Sequence, residues 1–215
     1  ADRIIATGLA AAFPGVPIVT EERPDSHRTG GSAPHFLVDP LDGTKEFVKR
    51  RGEFTVNIAL IIDGRPAAGV VHAPVAGRLF SGAAGAAAET AIARDGAAGR
   101  ERPISTVEAD PAGLRIVASK SHRTPETEAY IARYPVSDVV SAGSSLKFCL
   151  LASGEADLYP RLCPTMEWDT AAGQAVLEAA GGRVLRLTDG VPLRYGAPER
   201  RNPHFVALGR GVALL

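Results

Sequence analysis

The chain has 215 residues, equal totals of 24 for Lys+Arg and Asp+Glu, and 45% hydrophobic residues. That composition describes an ordinary globular protein, long enough for one large domain or two small ones around a substantial core. Zero formal net charge excludes a global field that would draw it to nucleic acid or to an anionic surface, so anion recognition must come from local clusters. An aromatic content of 6% provides no stacking platform for nucleic acid. No apolar run reaches about 18 residues, so no membrane span is expected. Cys149 and Cys163 show neither CxxC nor metal-ligand spacing; Cys149, in the apolar run 146–151, reads as a buried reduced thiol, which favours the cytoplasm.

In chain order, Asp2 to Phe13 reads as the back half of an amphipathic helix, ended by Pro14-Gly15. No initiator Met and no N-cap precede it, so an N-terminal segment is expected to be missing from the sequence. Val16 to Thr20 is a short strand entering Glu21-Glu22, and 23–34 is a loop rich in turn formers. A strand from His35 to Asp39 then delivers Val38-Asp-Pro-Leu-Asp-Gly-Thr-Lys-Glu-Phe47. After the basic Lys49-Arg50-Arg51, strands Phe54 to Ile62 and Ala67 to Ala73 flank Asp63-Gly64, a hairpin signal. Arg78 to Ser81 is another strand, and the Ala/Gly-rich 82–99 turns at Asp95-Gly96.

The polar stretch Ser105 to Gly113 divides the chain into an α+β part, 1–105, and an α/β part, 106–215. Beyond it strands and helices alternate: Leu114 to Ser119, helix Pro125 to Arg133, Val136 to Val140, helix Ser144 to Ser153, Ala156 to Tyr159, and helix Trp168 to Ala180 stopped by Gly181-Gly182. Strands near Val184 and Phe205 close the chain, with a turn at Asp189-Gly190. This alternation calls for layered α/β packing.

Four acids fall at strand ends or a helix start: Glu21, Asp39, Asp42 and Asp169. Each has an ordinary reading, as solvated loop charge, a plain Asp-Gly turn or an N-cap. Together they form an oxygen-only donor set without His or Cys, which suits Mg²⁺ sharing its coordination with phosphate. The Leu41 carbonyl is a fifth donor, and Asp39 with Asp42 can bridge two ions about 4 Å apart. Anion contacts are offered by Gly43, Thr44 and Lys45, by Ser119-Lys-Ser-His122, by Gly143-Ser-Ser-Leu-Lys147 and by Arg161. Ser144 has an ordinary reading too, as a helix cap. No GxGxxG, Walker lysine or GxSxG motif occurs, and the five histidines lack zinc spacing.

Glu21-Glu22, Asp39-Pro-Leu-Asp-Gly-Thr44 and Trp168-Asp-Thr-Ala-Ala-Gly173 together resemble the inositol-monophosphatase superfamily of Mg²⁺-dependent, lithium-sensitive phosphatases. Asp42-Gly-Thr-Lys-Glu-Phe47, Gly52-Glu-Phe-Thr-Val-Asn-Ile-Ala-Leu60, Gly143-Ser-Ser-Leu-Lys-Phe-Cys149 and Leu158-Tyr-Pro-Arg161 are similar to its bacterial CysQ branch of 3′(2′),5′-bisphosphate nucleotidases. The resemblance spans essentially the whole chain. It implies an α-β-α-β-α layered sandwich with two or three Mg²⁺ held by Glu21, Asp39, the Leu41 carbonyl, Asp42 and Asp169. Glu21, Asp42 and Thr44 take the catalytic positions, with Thr44 orienting the attacking water. Gly43, Thr44, Lys45, His122, Ser144, Lys147, Arg161 and Asp169 take the substrate positions.

The implied substrate is 3′-phosphoadenosine 5′-phosphate or its sulfated form, in sulfate assimilation. The resemblance also implies a homodimer and a cytoplasmic location with peripheral contact at the inner face of the cell membrane. Lys45-Glu46 stands where inositol phosphatases usually carry an uncharged pair, which favours the nucleotidase. An inositol or fructose-bisphosphate phosphatase, and a non-catalytic bisphosphonucleotide-binding protein, are the competing readings. The family's Asp partner of the motif threonine is expected just before Ala1, outside this sequence.

Overall fold

The computed structural model describes residues 1–29, 33–119 and 123–215. Helix α1 (Asp2–Ala12) leads into β1 (Ile18–Thr20), a 3₁₀ turn (Pro24–Arg28) and β2 (His35–Asp42). A short helix α2 (Thr44–Val48) follows. A meander then runs through β3 (Thr55–Ile62), β4 (Arg65–Ala73), β5 (Arg78–Ala83), β6 (Ala86–Ile92) and β7 (Ala98–Ile104). The seven strands form one sheet in chain order, with β1 and β2 parallel and each later pair antiparallel.

Local chemistry sets this register. Residues Thr55, Asn57, Ala59 and Ile61 of β3 are buried and alternate with more exposed neighbours, the period of a pleated strand. Asp63 and Gly64 both take positive φ, so Ile62 pairs with Arg65 across a two-residue turn, as the sequence reading expects.

The second half contributes β8 (Leu114–Ala118), α3 (Pro125–Ile131), β9 (Val136–Ser141), α4 (Leu146–Ala152), β10 (Leu158–Arg161), a 3₁₀ turn (Glu167–Asp169), α5 (Ala171–Ala179), β11 (Arg183–Arg186) and β12 (Phe205–Leu208). Its five-stranded sheet has the order β11-β12-β10-β8-β9. Strand β8 is parallel to β9 and β10, whereas β12 is antiparallel to β10 and β11.

Helices α4 and α5 lie between the sheets. α5 packs on β3 to β6 and on β11, and α4 packs on α5, β4, β10 and β12. The approach is close because Gly69 and Gly82 lack side chains: a Cβ on either would come within 2.6 Å of the α5 backbone. One buried cluster therefore runs from Leu37 and Phe80 through Phe148 and Leu177 to Tyr159 and Phe205. A second cluster, with Ile116, Tyr130, Ile131 and Val206, lies beneath α3. α1 packs on β1 and β2, its C-capping Phe13 against Phe36. The layers are α-β-α-β-α, as expected. Cys149 is fully buried and its thiol is pushed up by desolvation, so it stays a protonated core residue.

Two expectations about the motif segments need correction. The strand expected to end at Asp39 continues to Asp42, with a register shift between Asp39 and Asp42 around Pro40, which has no N–H for the ladder. After Gly43, Thr44 starts α2. The helix expected from Trp168 begins at Ala171 instead. Thr170, at φ −125° and ψ −31°, separates it from the 3₁₀ turn that carries Asp169, and the Asp169 carboxylate accepts the Met166 N–H.

Candidate active site

The end of β2 faces the 3₁₀ turn before α5 and the start of α4, and the space between them is a cavity of about 280 Å³. Glu21, Asp39, Leu41, Asp42 and Asp169 line it, together with Lys45, Ser144, Lys147 and Arg161. Carboxylate oxygens of Asp39, Asp42 and Asp169 lie within 4.8 Å of one another.

Each carboxylate is aimed by a different device. Asp39 Oδ1 accepts the Leu41 N–H at 2.9 Å. Asp42 Oδ2 accepts from the Ser145 N–H at 2.8 Å, Asn57 Nδ2 at 3.2 Å and Thr55 Oγ1 at 3.4 Å, three donors on one oxygen. Asp169 Oδ2 takes the Met166 N–H at 2.8 Å. A bridge joins the two sides of the cluster: Asn57 Nδ2 donates to Ser145 Oγ at 2.9 Å, and Ser145 Oγ donates to the Asp169 carbonyl at 2.6 Å. Glu21 stands at the end of β1, its N–H on the Val38 carbonyl at 3.2 Å.

Crowded, buried carboxylates resist ionisation. Burial, followed by Asp42, Glu21 and Asp169, pushes Asp39 up to about 10. Burial and then Asp42 push Asp169 up to about 7, and Glu21 is raised mainly by burial. A hard divalent cation supplies the charge this oxygen-only cluster lacks, so the donor set fits such an ion.

The cationic side is built from α4 and β10. Lys147 is buried, its Nζ donates to the Ser144 carbonyl at 2.7 Å and lies 5.1 Å from the Tyr159 ring centroid, and burial lowers it to about 8. Arg161 ends β10; burial works against its charge, but Tyr159, Cys163, Asp169 and Asp42 around it outweigh burial and raise it above the ordinary guanidinium range. Gly43 is left-handed at φ 92°, and an added Cβ there would collide with Ser144 Oγ. Ser144, itself at φ 51°, donates to the carbonyls of Asp42 and Glu53 at 2.8 and 3.0 Å. Its hydroxyl locks the second half to the acidic motif as well as lining the cavity. Thr44 Oγ1 donates to the Leu41 carbonyl at 3.3 Å.

The inositol monophosphatase family model matches residues 1–212. The chain belongs to the inositol monophosphatase family. The family's CysQ members lie close to it. The 3′(2′),5′-bisphosphate nucleotidase CysQ of Escherichia coli strain K12 is 45% identical over 207 residues, covering 95% of this chain and 80% of the relative. CysQ of Buchnera aphidicola is 42% identical over 203 residues, covering 93% and 73%. The crystal structure of CysQ from Bacteroides thetaiotaomicron superposes with a TM-score of 0.82 at 38% identity, covering 97% of this chain and 83% of that one.

In this family member, the structure gathers Glu21, Asp39, Leu41, Asp42, Gly43, Thr44, Lys45, Ser144, Lys147, Arg161 and Asp169 around one cavity. His122 lies outside the described residues, as do Lys120 and Ser121. Sequence reasoning missed Asn57, and it nominated Ser145 only within the Gly143-Ser-Ser-Leu-Lys147 anion contact, not as the bridge between two acids. Asn57 carried a signal: it is a polar residue at a core-facing position of an otherwise apolar strand. Asp2 was missed too. It accepts from Thr20 Oγ1 at 2.9 Å and from Arg23, fastening the head of α1 to the strand end beside Glu21. Among the described residues no helix is long and apolar enough to cross a membrane.

Proposed function

We propose that the protein hydrolyses the 3′-phosphate of 3′-phosphoadenosine 5′-phosphate, releasing AMP and inorganic phosphate, with Mg²⁺ as its cofactor. The observation that carries this reading is one cavity lined both by a carboxylate cluster and by Lys45, Lys147 and Arg161. A cation site facing an anion site is what phosphomonoester hydrolysis needs. The nucleotide assignment is supported by the likeness to relatives named as bisphosphate nucleotidases, and by the charged Lys45-Glu46 pair after the Asp-Gly-Thr. The sulfated bisphosphonucleotide has the same ester and is the second expected substrate.

Glu21, Asp39, Asp42, Asp169 and the Leu41 carbonyl would hold two or three Mg²⁺. When bound, the ions supply Lewis acidity for activating water and for charge on the leaving oxygen. Asp42 holds one oxygen in a fixed direction through its three donors, which removes reorganisation during the reaction. Thr44 sits within reach of the Leu41 carbonyl, and its hydroxyl orients the attacking water. Gly43 and Thr44 offer backbone N–H groups to the substrate phosphate at the head of α2. Lys45, Ser144, Lys147, Arg161 and His122 hold the nucleotide and its phosphates. A cytoplasmic homodimer with peripheral contact at the inner membrane face belongs to the same reading and rests on family resemblance.

The test is a substrate panel with purified protein. Phosphate release from the bisphosphonucleotide is expected only with Mg²⁺, and lithium is expected to suppress it. Equal or faster release from inositol 1-phosphate or fructose 1,6-bisphosphate would replace the substrate assignment. Tight nucleotide binding without turnover would point to the non-catalytic binder.

A further inference from the structure

Two of the four acids come from segments far apart in the chain, Glu21 from the end of β1 and Asp169 from the turn before α5. Four carboxylates crowded together repel one another, so these segments need an attachment outside the cluster. The structure provides one around Arg200. The residue is 4% exposed and its side chain donates three ways: Nε to the His27 carbonyl at 3.0 Å, Nη2 to the Thr29 carbonyl, and Nη1 to Glu167 Oε2 at 3.0 Å. The other Glu167 oxygen accepts the N–H groups of Gly196 and Ala197, each at 2.7 Å. The Glu167 N–H returns to the Arg200 carbonyl at 2.7 Å.

We infer that Arg200 is a positioning residue for the cation site, holding the segment that follows Glu21 against the turn that carries Asp169. His27 and Thr29 lie on the 3₁₀ turn and its cap directly after Glu21, and Glu167 stands two residues before Asp169. The same two segments meet again where the His27 ring packs on Trp168, centroids 4.6 Å apart. Each guanidinium nitrogen donates and each carboxylate oxygen accepts, and the planar fork reaches both carbonyls and the carboxylate at once, a spread that a single ammonium does not match. A buried ion pair by itself contributes little to stability, since apolar replacements of both partners are often neutral or stabilising. What the pair supplies is geometry. Residues outside the ligand set that orient it typically account for 10–100-fold in metal affinity.

The inference rests on the cation-site reading of Glu21, Asp39, Asp42 and Asp169. Its test is Mn²⁺ titration of the metal-stripped full chain by electron paramagnetic resonance, without substrate, beside thermal unfolding. Arg200→Met is expected to weaken Mn²⁺ binding about tenfold and to lower the unfolding temperature. In Glu167→Met/Arg200→Met no buried charge is left unpaired, so unfolding should recover part of the loss, the His27 and Thr29 carbonyls and the Gly196 and Ala197 N–H groups still lacking these partners, while Mn²⁺ binding stays about tenfold weak. Arg200→Lys keeps a charge beside Glu167 but cannot span both carbonyls, and it should show the same loss of affinity. Wild-type Mn²⁺ affinity in the double variant or in Arg200→Lys would overturn the inference. A wild-type chain that binds no Mn²⁺ removes the cation-site reading and the inference together. Mn²⁺ binding without nucleotidase activity removes only the substrate assignment and leaves the inference standing.

Discussion

The Ser145 N–H donates to Asp42 Oδ2 at 2.8 Å, across 103 positions of sequence. The same residue's hydroxyl reaches the Asp169 carbonyl at 2.6 Å, so one buried serine sets the distance between two acids of the site. It also accepts from Asn57, which shares the Asp42 oxygen. The acidic cluster is thus held from the side of the second sheet, through the start of α4, and not by the motif strand alone.

Ser145→Ala keeps the N–H and deletes the hydroxyl bridge. The Asp169 carbonyl then loses a buried donor and Asn57 an acceptor, at a cost of about 1–3 kcal/mol in chemical denaturation. Metal affinity should fall about 10–100-fold, while Ser145→Cys or Thr recovers part of it. Wild-type metal dependence in the alanine variant would show that the bridge is purely structural.

Asp42→Asn preserves an acceptor for Ser145, Asn57 and Thr55 but removes the charge. Turnover should drop by more than about a hundredfold, beyond what an orienting residue costs. The unfolding temperature of the metal-free protein should hold or rise, because the variant relieves repulsion with Asp39 and Asp169. Retained activity would contradict the ligand role.

The raised acids make stability of the metal-free protein depend on pH with an unusual sign. Asp39 is at about 10 and Asp169 at about 7 when folded, against an unfolded 3.8. The folded state therefore binds more protons than the unfolded one through this window, and stability declines as pH rises from about 4 to about 10. In chelator, the unfolding temperature should fall between pH 5.5 and 8.5. Added Mg²⁺ should restore it, with a gain that grows with pH and proton release that calorimetry in buffers of different ionisation heat can count.

Lys147 has the opposite linkage. Burial holds it at about 8, against 10.5 in the unfolded chain, so its charge costs about 3 kcal/mol at neutral pH and the cost fades as pH rises from 8 to 10.5. Lys147→Met should be more stable near neutrality by up to that amount. Its KM for the bisphosphonucleotide should rise at least about tenfold, the trade expected of a buried substrate-facing cation. A variant less stable than wild type would mean that the hydrogen bonds to the Ser144 and Ala142 carbonyls outweigh desolvation.

Much of this was legible one residue at a time. The apolar run of β3 and the Asp63-Gly64 turn pointed to the hairpin that opens the meander, and the Asp39-Pro-Leu-Asp-Gly-Thr44 run announced hard-cation chemistry through its donor types. Glu21, Asp169 and the basic residues could be nominated because they stand at element ends. The start of α5 was misplaced because the Asp169 carboxylate, engaged by Met166, holds a separate turn that helical periodicity does not reveal. For Ser145, Asn57 and Arg200, the partners were out of reach for a different reason. Their work is done on partners dozens of residues away, and a serine, an asparagine or an arginine carries no local mark of which distant carbonyl it will meet. The sequence by itself determined which chemical groups were available and in which elements they would lie. Only the stacking of two sheets around α4 and α5 decided that four repelling carboxylates share one cavity with Lys147 and Arg161, because burial and long-range hydrogen bonds exist only once the layers have closed.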